Sequence, residues 1–514
     1  MALPMRLSLA AALLLASFHA HVTTVAADER EWHEVRTEHF IVRTDARKQR
    51  AIALATDLEK YRFTIAYLSG LNTRETPSVP VTVWAYRSAD DYVDNTKAYG
   101  TAGFYTARPA GPVSVLSLED GDEDWQLSGK RVLFHEYTHH ILHQYSPLEY
   151  PRWYDEGFAE YMATMEFDGD YAIVGKPAMH RAPFLKRVGD WLRAFEVIES
   201  RGRYLGHIGS KRARDPRRGK GGLSMQYAQG WLMVHYLHSD SRLQRAIPGF
   251  LQAINRADVD DERAFEQAFG MDYKEFHREL MRYWDEKRFA TGRVEIASKM
   301  PAIEPEYRRM QPVEAAVMKY EAAVAAGRPG LFNDNLSRDA FTACLEAGIR
   351  PADMRLALIE LALADEDWGI AETHVDALLA SSPEDARAQA AAIRLERLRH
   401  DDELPEQRAA ELRERAIKAI MADPTYVPAL LEYADLTFEY ELPIDDNLTH
   451  VIDSIRFLAP DLVAGKVFEA RLFAHKGALD EALAMIDEMI KWSSSTQQEV
   501  RLRDMREELE RGSS

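Results

Sequence analysis

The sequence predicts an α+β region in the amino-terminal half of the chain and an all-α region after it. Between residues 31 and 125, short β-branched and aromatic segments alternate with a helical one. From residue 127 to 293 helical spacing of apolar residues dominates, and from 313 to 514 one helical segment follows another. A mixed segment followed by uninterrupted helices indicates two regions of different architecture.

The composition is that of an acidic globular protein. Hydrophobic residues make up 46% of the 514 and charged residues 29%, which excludes wholesale disorder. The 64 lysines and arginines against 83 aspartates and glutamates give a net charge of −19. This balance argues against general nucleic-acid binding, because phosphate contacts need a positive surface. The single cysteine, Cys344, excludes an internal disulfide framework and a Cys-rich metal site, and its apolar helical neighbours predict a buried thiol.

Residues 1–27 are typical of a secretory signal. Arg6 supplies the positive start, residues 7–18 form a short apolar run, and Val25 and Ala26 precede a cleavage site near Ala27. We therefore expect an exported protein, periplasmic or secreted; the alternative is a retained membrane anchor. No later segment approaches 18 uninterrupted apolar residues, so we expect no transmembrane segment in the mature chain.

Residues 28–126 are predicted to form an α/β subdomain. Segments 39–44, 79–86 and 112–118 have the short β-branched and aromatic character of strands. The segment between the first two, residues 47–71, has apolar residues near helical spacing.

The rest of the chain divides into three further segments. Residues 127–293 are predicted to be a mainly helical subdomain, and 294–312, with three prolines and little periodicity, a linker. In 313–514, Pro383, Pro424 and Pro460 lie 41 and 36 residues apart. This spacing resembles degenerate tetratricopeptide repeats, whose period is about 34 residues. An ordinary helical bundle is the alternative.

The strongest chemical signal is His135-Glu136-Tyr137-Thr138-His139. Residues four apart lie on one face of a helix, so His135 and His139 can direct two imidazoles at one metal ion. Glu136 follows the first histidine and is placed to act on a water molecule there. A chance pair of helical histidines is the alternative.

A third ligand is expected downstream, because catalytic zinc uses three protein ligands and an open position. Glu156 lies 17 residues after His139, which leaves room for a turn through Ser146-Pro147 and a second helix. That helix can present the carboxylate of Glu156 to the same ion.

The phrases HEYTH (135–139) and WYDEGFAEY (153–161) resemble the gluzincin metallopeptidases, the clan of thermolysin and the zinc aminopeptidases, and most closely the peptidase-MA-like exported bacterial proteins. The resemblance implies a gluzincin-type fold with one Zn²⁺ held by His135, His139 and Glu156, and with Glu136 as general base. It also implies that Glu160 orients a ligand histidine. A solvated helix-face acid is the alternative for Glu160, and Asp155 is a weaker candidate for the same role.

The phrase Tyr227-Ala228-Gln229-Gly230 resembles the Tyr-x-x-Gly phrase of zinc aminopeptidases. That resemblance implies that Tyr227 stabilises the oxyanion of the transition state. A packed aromatic residue is the alternative, with Tyr236 and Tyr161 as reserve candidates. The segment 103–106 corresponds to the substrate-binding edge strand of those enzymes but lacks their amine-binding glutamate, so we favour an endopeptidase.

Two more histidines and a basic segment lie near these motifs in the sequence. His140 and His143 extend the histidine cluster, and we expect them to support or surround the site rather than to bind the metal. Residues 201–220 hold eight lysines or arginines and one aspartate. They are either a flap that recruits an anionic partner or, as we prefer, a solvated insertion.

The sequence therefore predicts an exported zinc peptidase that acts on a peptide or protein substrate, with helical repeats that can dock a partner. One alternative is a weakly active or inactive gluzincin-like scaffold that binds partners through the repeats. The other is a zinc amidohydrolase acting on a non-peptide amide such as a cell-wall linkage.

Overall fold

The structure is a computed structural model that describes residues 30–73, 79–119, 128–186, 191–198, 219–256, 259–332, 334–400, 403–492 and 496–512. The predicted signal segment 1–27 lies outside these residues, as does the basic segment 201–220 apart from its last two residues. Within the described part of the chain, none of the helices is both long enough and apolar enough to cross a membrane.

The strands form two sheets. They are β1 (His33–Arg36), β2 (Phe40–Thr44), β3 (Val81–Tyr86), β4 (Gly103–Thr106), β5 (Val113–Ser117), β6 (Glu166–Asp168), β7 (Tyr171–Val174), β8 (Gly292–Glu295) and β9 (Glu306–Arg309). The larger sheet has the order β4-β5-β3-β2-β1-β9, and β6, β7 and β8 form the smaller one. Strands β2, β3 and β5 are parallel, whereas β4 pairs antiparallel with β5 at the edge.

The helices follow in chain order. They are α1 (Lys48–Ser69), α2 (Ala89–Thr96), α3 (Gly129–Tyr145), α4 (Arg152–Met162), α5 (Ala182–Leu185), α6 (Ala194–Ile198), α7 (Gly219–Ser239), α8 (Ser241–Ile254), α9 (Asp261–Phe269), α10 (Tyr273–Glu286), α11 (Pro312–Ala325), α12 (Asp334–Glu346), α13 (Pro351–Ala364), α14 (Trp368–Ser381), α15 (Ala386–His400), α16 (Glu406–Ala422), α17 (Val427–Glu439), α18 (Asp446–Leu458), α19 (Val463–His475), α20 (Leu479–Trp492) and α21 (Thr496–Gly512). A 3₁₀ turn, Pro329–Leu331, lies between α11 and α12.

The predicted elements of the amino-terminal region are present. Strands β2, β3 and β5 occupy the three segments expected to be strands, and α1 fills the expected helix between the first two. The strands are buried along most of their length, which explains their β-branched and aromatic composition. An amino-terminal region with helices and strands and a carboxyl-terminal all-helical region are thus both observed, as the sequence predicts.

The two faces of the large sheet carry different helices. On one face, Val42 and Val83 share a core with α1, α3 and α4. On the other face, Trp84 and Val115 pack with Val317 of α11 and with helices α12 and α13. The first helices beyond residue 312 therefore complete the core of the sheet.

The prediction of a linker over 294–312 is corrected by the structure. This segment contains β9 and the end of β8, and β9 pairs with β1 over its four residues. The sequence of β9, Glu-Tyr-Arg-Arg, has no apolar alternation because the strand is short and only partly buried. Nothing in its pattern therefore indicated a strand.

Buried ion pairs join α11 to the sheet and to the turn before α13. Arg43 of β2 contacts Glu34 at 2.9 Å and also pairs with Glu321 of α11. Arg350 contacts Glu321 at 2.6 Å and Glu314 at 3.0 Å. The charges are paired on both sides, which offsets the cost of removing them from water.

From α13 onward, successive helices pack on one another around cores of their own. The tetratricopeptide-like character of this region stays a prediction. One contact joins this region to the amino-terminal region. The ring of Phe457, near the end of α18, packs edge to face on the ring of Tyr145 of α3 at 5.7 Å.

Candidate metal centre

Helix α3 carries the two candidate histidines and is fixed against α1. The ring of Tyr61 on α1 stacks on Phe134 at 3.7 Å. The Tyr61 hydroxyl donates to the carbonyl oxygen of Phe134 at 2.8 Å and lies 2.7 Å from the hydroxyl of Thr138. These contacts set the rotation of α3 so that His135 and His139 face α4.

Three side chains from α3 and α4 converge on one point. The Nε2 atoms of His135 and His139 are 3.2 Å apart. The Oε2 atom of Glu156 lies 3.3 Å from the first and 3.4 Å from the second. Helix α4 thus presents the carboxylate that the sequence placed there, and the structure brings all three predicted ligands together.

The triangle of donor atoms fits a zinc ion. Bond lengths of about 2.0–2.1 Å in tetrahedral geometry put neighbouring donor atoms about 3.3 Å apart. The Oε2 atom of Glu156 is buried and has no hydrogen-bond partner among the described residues. Burial favours a higher pKa for Glu156, but the facing imidazoles of His135 and His139 outweigh it and lower the pKa to about 2. A buried anionic oxygen without a partner is the arrangement expected where a cation binds.

Glu160 lies behind the first histidine. Its Oε1 atom is 3.4 Å from Nδ1 of His135, and its Oε2 atom is 2.9 Å from Nε2 of His180. Arg181 also donates to this carboxylate. The residue is only 2% exposed, so the alternative of a solvated helix face does not hold. Burial works against ionisation, but His180, His135 and Arg181 lower the pKa of Glu160 and keep it charged.

Asp155 lies behind the second histidine. Its Oδ1 atom accepts a hydrogen bond from Nδ1 of His139 at 3.0 Å. It also stands in the first turn of α4, so it serves the helix start as well. The sequence ranked Asp155 below Glu160, whereas the structure gives each of the two predicted ligand histidines a carboxylate of its own. Such partners fix the tautomer that leaves Nε2 free for a metal.

Tyr227 approaches the same carboxylate from α7. Its hydroxyl donates to Oε1 of Glu156 at 3.0 Å, and the guanidinium of Arg181 lies 5.0 Å from its ring centroid. The resemblance implies an oxyanion role for Tyr227, and the structure places its hydroxyl beside the predicted metal ligand Glu156. The reserve candidates pack into the helical core: Tyr161 stacks on His238 at 5.0 Å, and Tyr236 meets the rings of helix α10.

Two glycines let α4 and α7 approach closely. A Cβ atom on Gly157 would lie 2.3 Å from the carbonyl oxygen of Gly230, and one on Gly230 would lie 2.9 Å from the carbonyl oxygen of Trp153. Each glycine belongs to a phrase that the sequence singled out. Because neither glycine has a side chain, α4 and α7 can approach closely enough for Tyr227 to reach Glu156.

Glu136 lies on α3 beside the donor atoms. Burial raises its pKa; the nearby histidines oppose that rise, and the carboxylates of Glu156 and Asp461 add to it. A carboxylate with a raised pKa accepts protons more readily than a solvated one. Its environment therefore suits a proton acceptor.

The edge strand β4 runs alongside α3. Helix α3 begins so close to the sheet that a Cβ on Gly129 would meet the carbonyl oxygen of Ser117 at 2.3 Å. The hydroxyl of Tyr105 on β4 lies 3.0 Å from Nδ1 of His140. The segment 103–106 is therefore an edge strand fixed to the helix that carries the two candidate histidines.

Several residues of the site gave no usable signal in the sequence. His180 and Arg181 reach Glu160 from a segment with no motif, 20 and 21 residues along the chain. Asp461 contacts His143 at 3.1 Å across 318 residues. His143 also contacts Asp155 at 3.2 Å, which places it next to the site.

Comparisons with known proteins add little. No protein-family model and no solved structure matches the chain. A protein of Bacillus subtilis (strain 168), named "Uncharacterized protein YhcO", is 36% identical over 74 residues. The match covers 12% of this chain and 23% of the length of that protein, so it assigns neither a family nor an activity.

Proposed function

We propose that the protein is a zinc-dependent peptidase of gluzincin type that hydrolyses internal peptide bonds. We also propose that it is exported and that its carboxyl-terminal helices form a tetratricopeptide-like region. The observation that carries the proposal is the triangle of His135 Nε2, His139 Nε2 and Glu156 Oε2, with sides of 3.2, 3.3 and 3.4 Å. These three residues would hold one Zn²⁺. Bound there, the ion would polarise the scissile carbonyl and acidify water.

The surrounding residues have separate tasks. Glu136 takes a proton from the attacking water and returns one to the departing amine. Tyr227 offers a hydroxyl donor to the oxyanion that develops at the carbonyl carbon. Asp155 and Glu160 keep the imidazoles of His139 and His135 in the tautomer with Nε2 unprotonated.

The edge strand supports a peptide as substrate. In the described part of the chain β4 pairs with β5 on one side only, so its other side can receive an extended chain by strand addition. No glutamate of the amine-binding type follows Gly103 in this strand. This strand therefore lacks a carboxylate that would bind the free amino terminus of a substrate, which favours internal cleavage.

The test is peptide-library cleavage read by mass spectrometry with the zinc-loaded protein. Glu136→Gln removes the proton acceptor and leaves the ligands, whereas Glu346→Gln makes the same change at an exposed position of α12. We expect internal cuts by the wild type and by Glu346→Gln, and a loss of about 10²–10⁴-fold in Glu136→Gln. Wild-type rates in Glu136→Gln would refute the mechanism. No cuts by any of the three would refute the peptidase and favour the scaffold or the amidohydrolase.

A further inference from the structure

The turn between α18 and α19 brings a carboxylate from the all-helical region to the metal-binding helix. The carbonyl oxygen of Ala459 accepts a hydrogen bond from the amide of Leu462 at 3.0 Å, which closes a turn with Pro460 in its second position. Asp461 projects from this turn toward α3. The turn is anchored, because Leu458 and Ala459 are buried in the helical core.

The Asp461 carboxylate contacts two histidines of α3. Its Oδ1 atom lies 3.1 Å from Nδ1 of His143, and its Oδ2 atom lies 3.5 Å from Nδ1 of His140. His140 in turn lies 3.0 Å from the hydroxyl of Tyr105 on the edge strand. One carboxylate therefore touches both the histidine that leads to the metal site and the histidine that holds β4.

The contacts continue from His143 to a ligand. Nε2 of His143 lies 3.2 Å from Oδ2 of Asp155, and Oδ1 of Asp155 accepts from Nδ1 of the ligand His139 at 3.0 Å. The chain of contacts is Asp461–His143–Asp155–His139. Each step is a hydrogen bond to a carboxylate, and such charge-assisted bonds are the stronger kind.

In the middle of this series of contacts, His143 lies between two carboxylates. Both ring nitrogens of His143 face a carboxylate oxygen, so both carry a proton and the ring is positively charged. Burial alone would lower the pKa of His143, but Asp155 and Asp461 together raise it to about 9. Without Asp461, the ring would lose one of its two partners and with it the fixed orientation toward Asp155.

We propose that Asp461 is a positioning residue of the metal centre, acting through His143 and Asp155 on the ligand His139. The proposal rests on the metal site of the proposed function. It makes the all-helical region a part of that site, because the carboxylate at the outer end of the chain of contacts comes from this region. Its consequence is that zinc affinity depends on a residue 322 positions beyond the ligand it serves.

The experiment measures zinc affinity by chelator competition and the visible spectrum of the Co²⁺-loaded full chain. Removing a direct partner of a ligand costs about 10–100-fold in affinity, and we expect this for Asp155→Asn. Asp461→Asn acts one step further out, so we expect a loss of about three- to tenfold and a shifted Co²⁺ spectrum. In the Asp155→Asn background, Asp461→Asn should cost nothing further, because the path is already broken.

Two further variants separate positioning from docking. Phe457→Leu weakens the packing of the turn on Tyr145 without touching the histidines, and we expect it to leave zinc affinity unchanged. His143→Gln breaks the same path at a side chain that is 37% exposed, and it should reproduce the effect of Asp461→Asn even where the latter folds poorly. The spectrum reports ligand geometry and is not moved by a general loss of stability.

The outcomes are distinct. Unchanged affinity and spectrum in Asp461→Asn, with a wild type that binds zinc, would overturn the positioning role alone. An equal loss in Phe457→Leu, or a full additive loss in the Asp155→Asn background, would also overturn it. A wild type that binds neither Zn²⁺ nor Co²⁺ would overturn the proposed metal site and the positioning role together.

Discussion

The hydroxyl of Tyr227 donates a hydrogen bond of 3.0 Å to Oε1 of Glu156, while Oε2 of the same carboxylate faces the two histidines. A phenol from α7 is thereby held beside the predicted metal ligand on α4. Two roles are therefore proposed for the hydroxyl: it orients the predicted ligand, and it donates to a developing oxyanion.

Replacing Tyr227 by phenylalanine separates these two roles. We expect Tyr227→Phe to lower kcat about 100-fold, the usual cost of one oxyanion donor. Zinc affinity should fall by less than about tenfold, because His135, His139 and Glu156 remain. Cleavage kinetics of the zinc-loaded variant and chelator competition measure the two effects. Tyr99→Phe, at an exposed tyrosine, is the control. Full kcat with weakened zinc binding would assign the hydroxyl to ligand orientation alone.

The close crossing of α4 and α7 gives a second prediction. We expect Gly157→Ala to destabilise the fold by about 1–3 kcal/mol, because its methyl group would collide with the backbone of Gly230. The helices would move apart, and Tyr227 would leave Glu156, so activity should fall with stability. Denaturant unfolding and cleavage assays check both.

The matched control for that change is Gly249→Ala in α8. A Cβ at this position meets nothing within 4 Å, so we expect a gain of about 0.5–1 kcal/mol from the better helix propensity of alanine. Equal stability of Gly157→Ala and Gly249→Ala would contradict the role assigned to the crossing.

The sequence predicts well those parts of the structure that depend on residues near one another along the chain. The spacing of His135 and His139 placed both imidazoles on one helix face, and the strand segments were recognisable because buried parallel strands need β-branched and aromatic residues. Glu156 was found because it lies in the next helix. These residues are near one another in sequence, so their relation follows from secondary structure.

The remaining partners depend on tertiary packing. Asp461 reaches His143 across 318 residues, and β9 joins the sheet through pairing with β1 rather than through any pattern of its own. Helix α11 was assigned to the carboxyl-terminal region because its composition is helical, which says nothing about the sheet it covers. Periodicity reports which face of an element is buried but not against which partner.

Zinc should stabilise the folded protein, because the buried oxygen of Glu156, which accepts no hydrogen bond from the described residues, would gain a bond to the cation. A ligand at about 1,000 times its Kd contributes about 4 kcal/mol, so chelation should lower Tm by several degrees. His135→Ala should abolish the zinc-dependent rise in Tm. His400→Ala, at an exposed histidine at the end of α15, should keep it. A zinc-dependent rise that survives His135→Ala would place the ion elsewhere.

The ion pairs between α11 and the sheet predict how stability responds to acid. Burial favours the neutral form of Glu321, but Arg43 and Arg350 outweigh it and lower the pKa from 4.5 to about 2. Because the folded pKa lies below the unfolded one, the stabilisation is fully present above about pH 4.5 and is lost as the pH falls toward 2. Denaturant unfolding as a function of pH should therefore show a decline in this window that Glu321→Gln makes shallower.

Arg350→Met tests the same ion pairs at neutral pH. Its side chain is 13% exposed and contacts Glu321 and Glu314, so its loss leaves these carboxylates with Arg43 and Arg308 as their remaining partners. We expect the free energy of unfolding to fall by about 1.5–3 kcal/mol, the usual contribution of a hydrogen bond to a charged group, because each carboxylate keeps one arginine. Arg503→Met removes a pair with Glu499 from a side chain that is 60% exposed, and it should cost less than about 1 kcal/mol. If both variants lose the same small amount, the ion pairs of Arg350 do not stabilise the packing of α11 on the turn before α13.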